Sequence, residues 1–197
     1  MKSIILIVIL ALVGGGYYFF YPPMVLKHRT EQALEEFSKA VEAKDRAKIS
    51  EVLGKYLAEE AKPHLEVTLF SLSQPEGKPT IQDFDKPTFI TFIDNTLYSL
   101  DDYHYEVALQ KFNLAADKKS ASVTFASKEW ADGKEYYMGT AMNMRYHSNT
   151  LCEGEVDFDG GKTELAAVNC KMTLGIVPKP DEILKSQNPE ALGRLLR

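Results

Sequence analysis

From Tyr103 to Thr173 the chain is a succession of long runs in which β-branched and aromatic residues alternate with polar ones, and both cysteines fall inside it. A period of two is what a strand with one buried face requires. The runs 103–114, 120–130, 136–148, 151–158 and 163–174 therefore predict one antiparallel sheet, with Asp117-Lys118, Ala131-Asp132-Gly133 and Asp159-Gly160-Gly161-Lys162 as its turns. Alternation also assigns faces. Tyr103, Tyr105, Val107 and Leu109 share one side, as do Ala121, Val123 and Phe125, and as do Met138, Met142, Met144 and Tyr146. Tyr137, Ala141, Asn143, Arg145 and His147 fall on the opposite side. A bulge would shift these assignments by one residue.

The two cysteines are nearly equidistant from the last turn, so simple register sets Cys152 opposite Cys170 and predicts a cross-strand disulfide. Such a bond belongs to an oxidising compartment. Two cysteines are too few for a disulfide scaffold and lack metal-site spacing. Nor is there a Gly-rich phosphate loop, nucleophile elbow, zinc histidine pair or calcium loop. No metal or cofactor is expected. A net charge of −5 without clustered Lys and Arg gives no footprint for nucleic acid.

At the start of the chain, Ile4 to Tyr21 is almost continuously apolar, with no charged residue between Lys2 and Lys27. At 1.5 Å per residue such a helix spans roughly the 30 Å hydrocarbon core. Tyr17, Tyr18 and Tyr21 stand where interfacial aromatics belong, and Pro22-Pro23 is expected to end the helix. The reading is a single N-terminal transmembrane anchor over 1–27, with a cleaved signal peptide as its rival. Basic residues lie on both sides of the span, and the cysteine pair tips the balance toward an exported domain.

Residues 28–176 read as the folded domain and 177–197 as a tail, Pro-rich at first and then a short helix capped by Asn188. In the domain, Ala33, Phe37, Ala40 and Val41 recur at helical spacing. Lys44-Asp45 breaks the run. Ile49, Val52, Leu53 and Tyr56 mark a second helix from Arg46 to Glu60. Residues 64–73 alternate as a strand, Gln74 to Pro79 reads as a loop, and Asp85 caps a third helix toward Leu100. The stripe Phe89, Phe92, Ile93, Thr96 and Leu97 makes that helix the one expected deepest against the sheet.

The order of helix, helix, strand, helix and long antiparallel strands resembles the nuclear-transport-factor-2-like superfamily. The likeness is carried by Phe37 to Asp45 leading into Ile49 to Leu53, and by Phe89 to Leu97 followed by Tyr103 to Val107. It implies an α+β cone in which a curved sheet wraps about three helices. It also implies either binding of small molecules in the cone, dimerisation through the sheet, or catalysis of the isomerase, dehydratase or cyclase type.

The candidate acid–base and polar residues are Tyr56, Asp94, Tyr103, His104, Glu129, Tyr137, Arg145 and His147, and no pair among them has a diagnostic spacing. The Asn143, Arg145 and His147 row is the most unusual polar face. The leading expectation is a non-catalytic, membrane-anchored domain, held at the inner membrane with its C-terminal part outside the cytoplasm. Such a domain would bind a small apolar ligand or an envelope protein, or pair through its sheet. The alternative is a small-molecule enzyme. A closed, polar-lined cavity containing a carboxylate or histidine within hydrogen-bond reach of a tyrosine would favour it.

Overall fold

The structure is a computed structural model that describes residues 2–71, 74–98, 101–137, 140–158 and 161–179. Over 2–21, 74–75, 97–98, 101, 135–137 and 140 it describes the backbone alone. The tail helix expected at Asn188 lies outside these residues, as does the side chain of Met138.

Three helices and six strands follow in the order α1 (Lys2–Glu42), α2 (Arg46–Tyr56), β1 (His64–Ser71), β2 (Gln74–Asp83), α3 (Lys86–Tyr98), β3 (Asp101–Leu114), β4 (Ser120–Tyr137), β5 (Thr140–Asp157) and β6 (Glu164–Pro178). The strands form one sheet in the order β2-β1-β6-β5-β4-β3. All neighbours are antiparallel except β1 and β6, which run parallel. The expected purely antiparallel sheet is thus corrected to a mixed one. The final strand enters between β5 and β1, and that junction can only be parallel given the directions of its neighbours.

One turn expected from the sequence, Ala131-Asp132-Gly133, is strand interior. Asp132 and Gly133 pair with Arg145 and Met144 inside the β4–β5 ladder. Gly133 is small for a packing reason, since a Cβ there would meet the Tyr146 ring at 2.8 Å. Residues 140–148 and 151–157 likewise merge into the single strand β5, while 136–137, expected to begin that strand, end β4. Residues 74–79, expected as a loop, belong to β2. This is an edge strand, where Pro75 and Pro79 need not donate to a ladder on both sides.

The Lys44-Asp45 break behaves as its chemistry dictates. Lys44 takes a left-handed φ of 52°, and Asp45 then caps α2 by accepting from the Lys48 N–H at 3.0 Å. At the other end of α2, the Lys86 ammonium donates to the carbonyls of Gly54 at 3.1 Å and Leu57 at 2.7 Å, where a cation suits the helix dipole. The Ala58 N–H donates to the Leu165 carbonyl at 3.1 Å and fixes α2 to β6. Asp85 caps α3 through the Thr88 N–H at 2.8 Å.

Burial is led by α1 and α2 rather than α3. Ala40, Val41, Ile49 and Val52 are each at most 3% exposed and pack with Tyr103 and Ala131. No residue described on α3 is fully buried. A second cluster joins Ala121, Val123, Val156 and Phe158. In β3 a bulge between Leu109 and Lys111 hands the inward face to Phe112 and Leu114.

Helix α1 runs unbroken through Pro22 and Pro23, which were expected to end it. Each proline removes one ladder hydrogen bond, but the helix continues because the residues beyond carry the face that packs on the sheet. Among the described residues, no helix is long and apolar enough to cross a membrane. The single-pass anchor expected over 4–21 is corrected accordingly. With it go the membrane as a partner and the address at the inner membrane with an exported domain.

Candidate functional site

The inward faces of β3, β4 and β5 and the apolar stripes of the helices do not close on one another. They leave a cavity of about 630 Å³, within the range of small-molecule sites. Phe37 and Val41 of α1, Val52 and Tyr56 of α2, and Phe92 and Ile93 of α3 form its helical side. Residues of both core clusters line it, so the interior is hollow between two packed ends. The disulfide between Cys152 and Cys170 forms part of the wall, on strands whose register pairs these two residues directly.

Inside this apolar shell, strand alternation places a compact polar patch. Ser127 and Glu129 of β4 are register partners of Thr150 and Ser148 of β5, and Tyr105 of β3 is the partner of Glu129 on its other side. The Tyr103 hydroxyl donates to Glu129 Oε2 at 2.8 Å. Tyr103 is itself held, 7% exposed, against α1 and α2, and its ring stacks near Tyr105 with centroids 6.5 Å apart. The Tyr105 ring is gripped edge-on by Phe37 at 5.8 Å.

The electrostatics follow from this burial. Loss of solvent raises Glu129 above the ordinary carboxylate value of 4.5, while the Tyr103 and Ser148 hydroxyls beside it pull the other way. Tyr103 and Tyr105 are raised by burial and by the nearby Glu129 charge, so both stay protonated donors. A carboxyl group raised toward neutrality in an apolar cavity, with a fixed phenol donor, can take up and return a proton. Among the described residues no group of His, Cys, Asp and Glu could hold a metal ion.

Of the residues singled out in the sequence, the structure brings Tyr103 and Glu129 together at this patch, with Tyr56 on the cavity's helical side, and His147 is also among the lining residues although its side chain is exposed. Asp94 pairs bidentately with Arg46 and ties α3 to α2 at the surface. His104 lies on the outer face, stacked on Trp130 with centroids 5.1 Å apart and 3.6 Å from Glu42. His147 has the opposite strand parity to Ser148 and is exposed, its ring lying over Gly175, where a Cβ would meet it at 2.3 Å. Arg145, also exposed, donates to Asp132 at 3.1 Å, and Lys179 pairs with the other oxygen of that carboxylate. The side chain of Tyr137 lies outside the described residues. Ser127, Ser148 and Thr150 were not singled out, although each sits at an inward position of its strand.

No protein-family model matches the sequence, and no curated protein matches it. Among solved structures, the chain is similar to a type 2 hexachlorocyclohexane dehydrochlorinase at 10% identity and a TM-score of 0.49, over 79% of this chain and 92% of that one. A nuclear-transport-factor-2-like superfamily protein from Salmonella enterica gives 8% identity and a TM-score of 0.47, over 75% and 90%. An NTF-2 like protein of unknown function from Shewanella oneidensis gives 11% and 0.43, over 74% and 98%. The resemblance to the nuclear-transport-factor-2-like superfamily read from the sequence is thus met among solved folds. No activity is taken from likenesses at these values. The expected membrane-anchored, non-catalytic binding domain is corrected on two counts. Among the described residues no helix is long and apolar enough to cross a membrane, and the cone holds a half-buried carboxyl bonded to a buried tyrosine, as an enzyme would need.

Proposed function

We propose that the protein is an acid–base enzyme acting on a small, largely apolar organic molecule enclosed in the cone, by isomerisation or dehydration. The reading is carried by the 2.8 Å hydrogen bond from Tyr103 to Glu129 at the wall of an apolar cavity of about 630 Å³. Glu129 takes a proton from a carbon of the substrate next to an electron-withdrawing group. The electron pair released forms a new double bond. The proton then returns at another carbon in an isomerisation, or leaves with a departing hydroxyl as water in a dehydration. Tyr103 holds the carboxyl in one orientation and steadies its charged form. Apolar walls exclude the water that would otherwise level the basicity of Glu129.

The test uses two-ring ketones and β-hydroxy ketones, 2-tetralone among them, in deuterated water. Proton magnetic resonance follows deuterium entry at the α-carbon and the loss of water. The wild-type protein is expected to accelerate exchange or elimination for members of this set, and Glu129→Gln to lower the rate at least 100-fold, within the usual range for a general base of roughly 10² to 10⁴. No acceleration over buffer, or equal rates in wild type and Glu129→Gln, would overturn the reading.

A further inference from the structure

The polar patch in the cone contains two hydroxyls that the acid–base step does not use. Ser148 is 4% exposed and Thr150 is 7% exposed, and both line the cavity. Among the described residues, theirs are the buried side-chain oxygens without a hydrogen bond of ordinary geometry. Ser148 lies beside Glu129 and tempers its proton affinity, but no hydrogen bond of ordinary geometry joins the two. Thr150 faces Ser127 across the ladder, and the Ser127 hydroxyl acts on Tyr105.

Leaving such groups unpaired in an apolar enclosure costs free energy, and buried hydroxyls elsewhere in this fold are used. Thr30, 5% exposed, donates to the Leu26 carbonyl at 3.1 Å. The two unpaired hydroxyls sit at consecutive inward positions of one strand, so their Cα atoms are separated by about 6.7 Å. A single acceptor oxygen makes O–H···O contacts of about 2.8 Å on each side, so one ligand oxygen placed between them satisfies both. A carbonyl oxygen has the two lone pairs for this and carries no charge to oppose Glu129.

We propose that Ser148 and Thr150 form a two-donor seat for the carbonyl oxygen of an otherwise apolar ligand, so that the cone selects ketones, aldehydes or esters over hydrocarbons of the same shape. The inference rests on the small-molecule reading of the cone and names the substrate class. Held in this seat, the carbonyl presents the hydrogens of its α-carbon next to Glu129, and the two donors steady the negative charge that grows on oxygen as the proton leaves.

The test is a binding measurement, independent of turnover. Isothermal titration compares 2-acetylnaphthalene with 2-ethylnaphthalene, which has the same ring system and nearly the same shape but no carbonyl. The wild-type protein is expected to hold the ketone about tenfold more tightly, the effect of two modest hydrogen bonds. The double variant Ser148→Ala, Thr150→Val is expected to lose that preference while still binding 2-ethylnaphthalene. In the wild-type complex alone, the infrared carbonyl stretch of the bound ketone should lie below its position in a hydrocarbon solvent, a readout that does not depend on any variant folding. Equal affinity for the two naphthalenes, a preference that survives the double variant, or an unshifted stretch would overturn the seat and leave the acid–base reading standing. Failure of both naphthalenes to bind would remove the seat together with the cavity reading, whereas unaltered exchange in Glu129→Gln touches only the catalytic assignment.

Discussion

The Tyr103 hydroxyl reaches Glu129 Oε2 at 2.8 Å although 26 residues separate the two in sequence. Neighbouring strands make this possible, since Tyr105, two residues on from Tyr103, is the register partner of Glu129. Removing this hydrogen bond with Tyr103→Phe should push the Glu129 pKa further up and move the acidic limb of the rate–pH profile, where the base gains its proton, to higher pH. Leaving the carboxylate without its donor should also destabilise the fold by about 1–3 kcal/mol where Glu129 is ionised. Urea unfolding at several pH values, read beside deuterium exchange, checks both.

The pH dependence of stability has a definite sign. Because folding raises the Glu129 pKa, the native state binds more protons than the unfolded state between the ordinary value of 4.5 and the folded one. Its contribution is therefore intact below 4.5 and stability falls as pH rises through the folded pKa. Glu129→Gln should flatten this decline and be relatively more stable at the alkaline end. A parallel decline in wild type and variant would show that other groups set it.

Breaking the Cys152–Cys170 bond, which spans 18 residues of sequence, should destabilise the protein by about 3 kcal/mol, the chain-entropy value for loops of this size. The paired substitution Cys152→Ala, Cys170→Ala lowers the urea midpoint in this prediction. Because the bond is also cavity wall, the affinity for 2-acetylnaphthalene should fall in the same variant. An unchanged midpoint would show that the bond does not constrain the unfolded chain.

Two glycines should respond oppositely to alanine. At Gly154 a Cβ would meet the Ala167 carbonyl oxygen at 2.6 Å, a backbone atom that cannot step aside, so Gly154→Ala should cost about 2 kcal/mol. At Gly54, inside α2, a Cβ meets nothing within 4 Å, so Gly54→Ala should stabilise by about 0.5–1 kcal/mol. Thermal midpoints of the two variants, moving in opposite directions, are the check.

On the outer surface, Asp94→Asn, His104→Ala, Arg145→Ala and His147→Ala should each leave deuterium exchange within about twofold of wild type, since additive surface changes rarely reach a distant site. A large loss in any one would relocate the chemistry to the convex face.

Much of this was readable because strands obey a rigid parity. Once β5 and β6 are paired, the positions of Cys152 and Cys170 follow from counting, and the inward rows of β3 and β4 follow in the same way. Glu129 carried a signal of its own. It is one of 28 acidic residues, but it occupies an inward position in the run Val123, Phe125, Ser127, Glu129, Ala131, where a charge is out of place unless it is used. Other features were hidden by tertiary context. Gly133 looks like a turn residue until the Tyr146 ring is seen above it, and the prolines of β2 argue against a strand unless that strand is known to be an edge. The apolar stripe of α3 suggested deep burial against the sheet. Part of it instead faces a cavity, and periodicity alone does not distinguish a packed neighbour from a hollow.

The place of β6 between β5 and β1 has a consequence for biogenesis. Synthesis delivers β1 and β2 roughly a hundred residues before the strand that joins them to the rest, about 5–20 s at the usual pace of translation. Throughout that interval the β1 edge has no partner and is exposed to pairing with other nascent chains. The enclosure cannot be sealed until residues 164–178 arrive, so truncation within β6 would unseat β1 and β2 and not merely shorten the sheet.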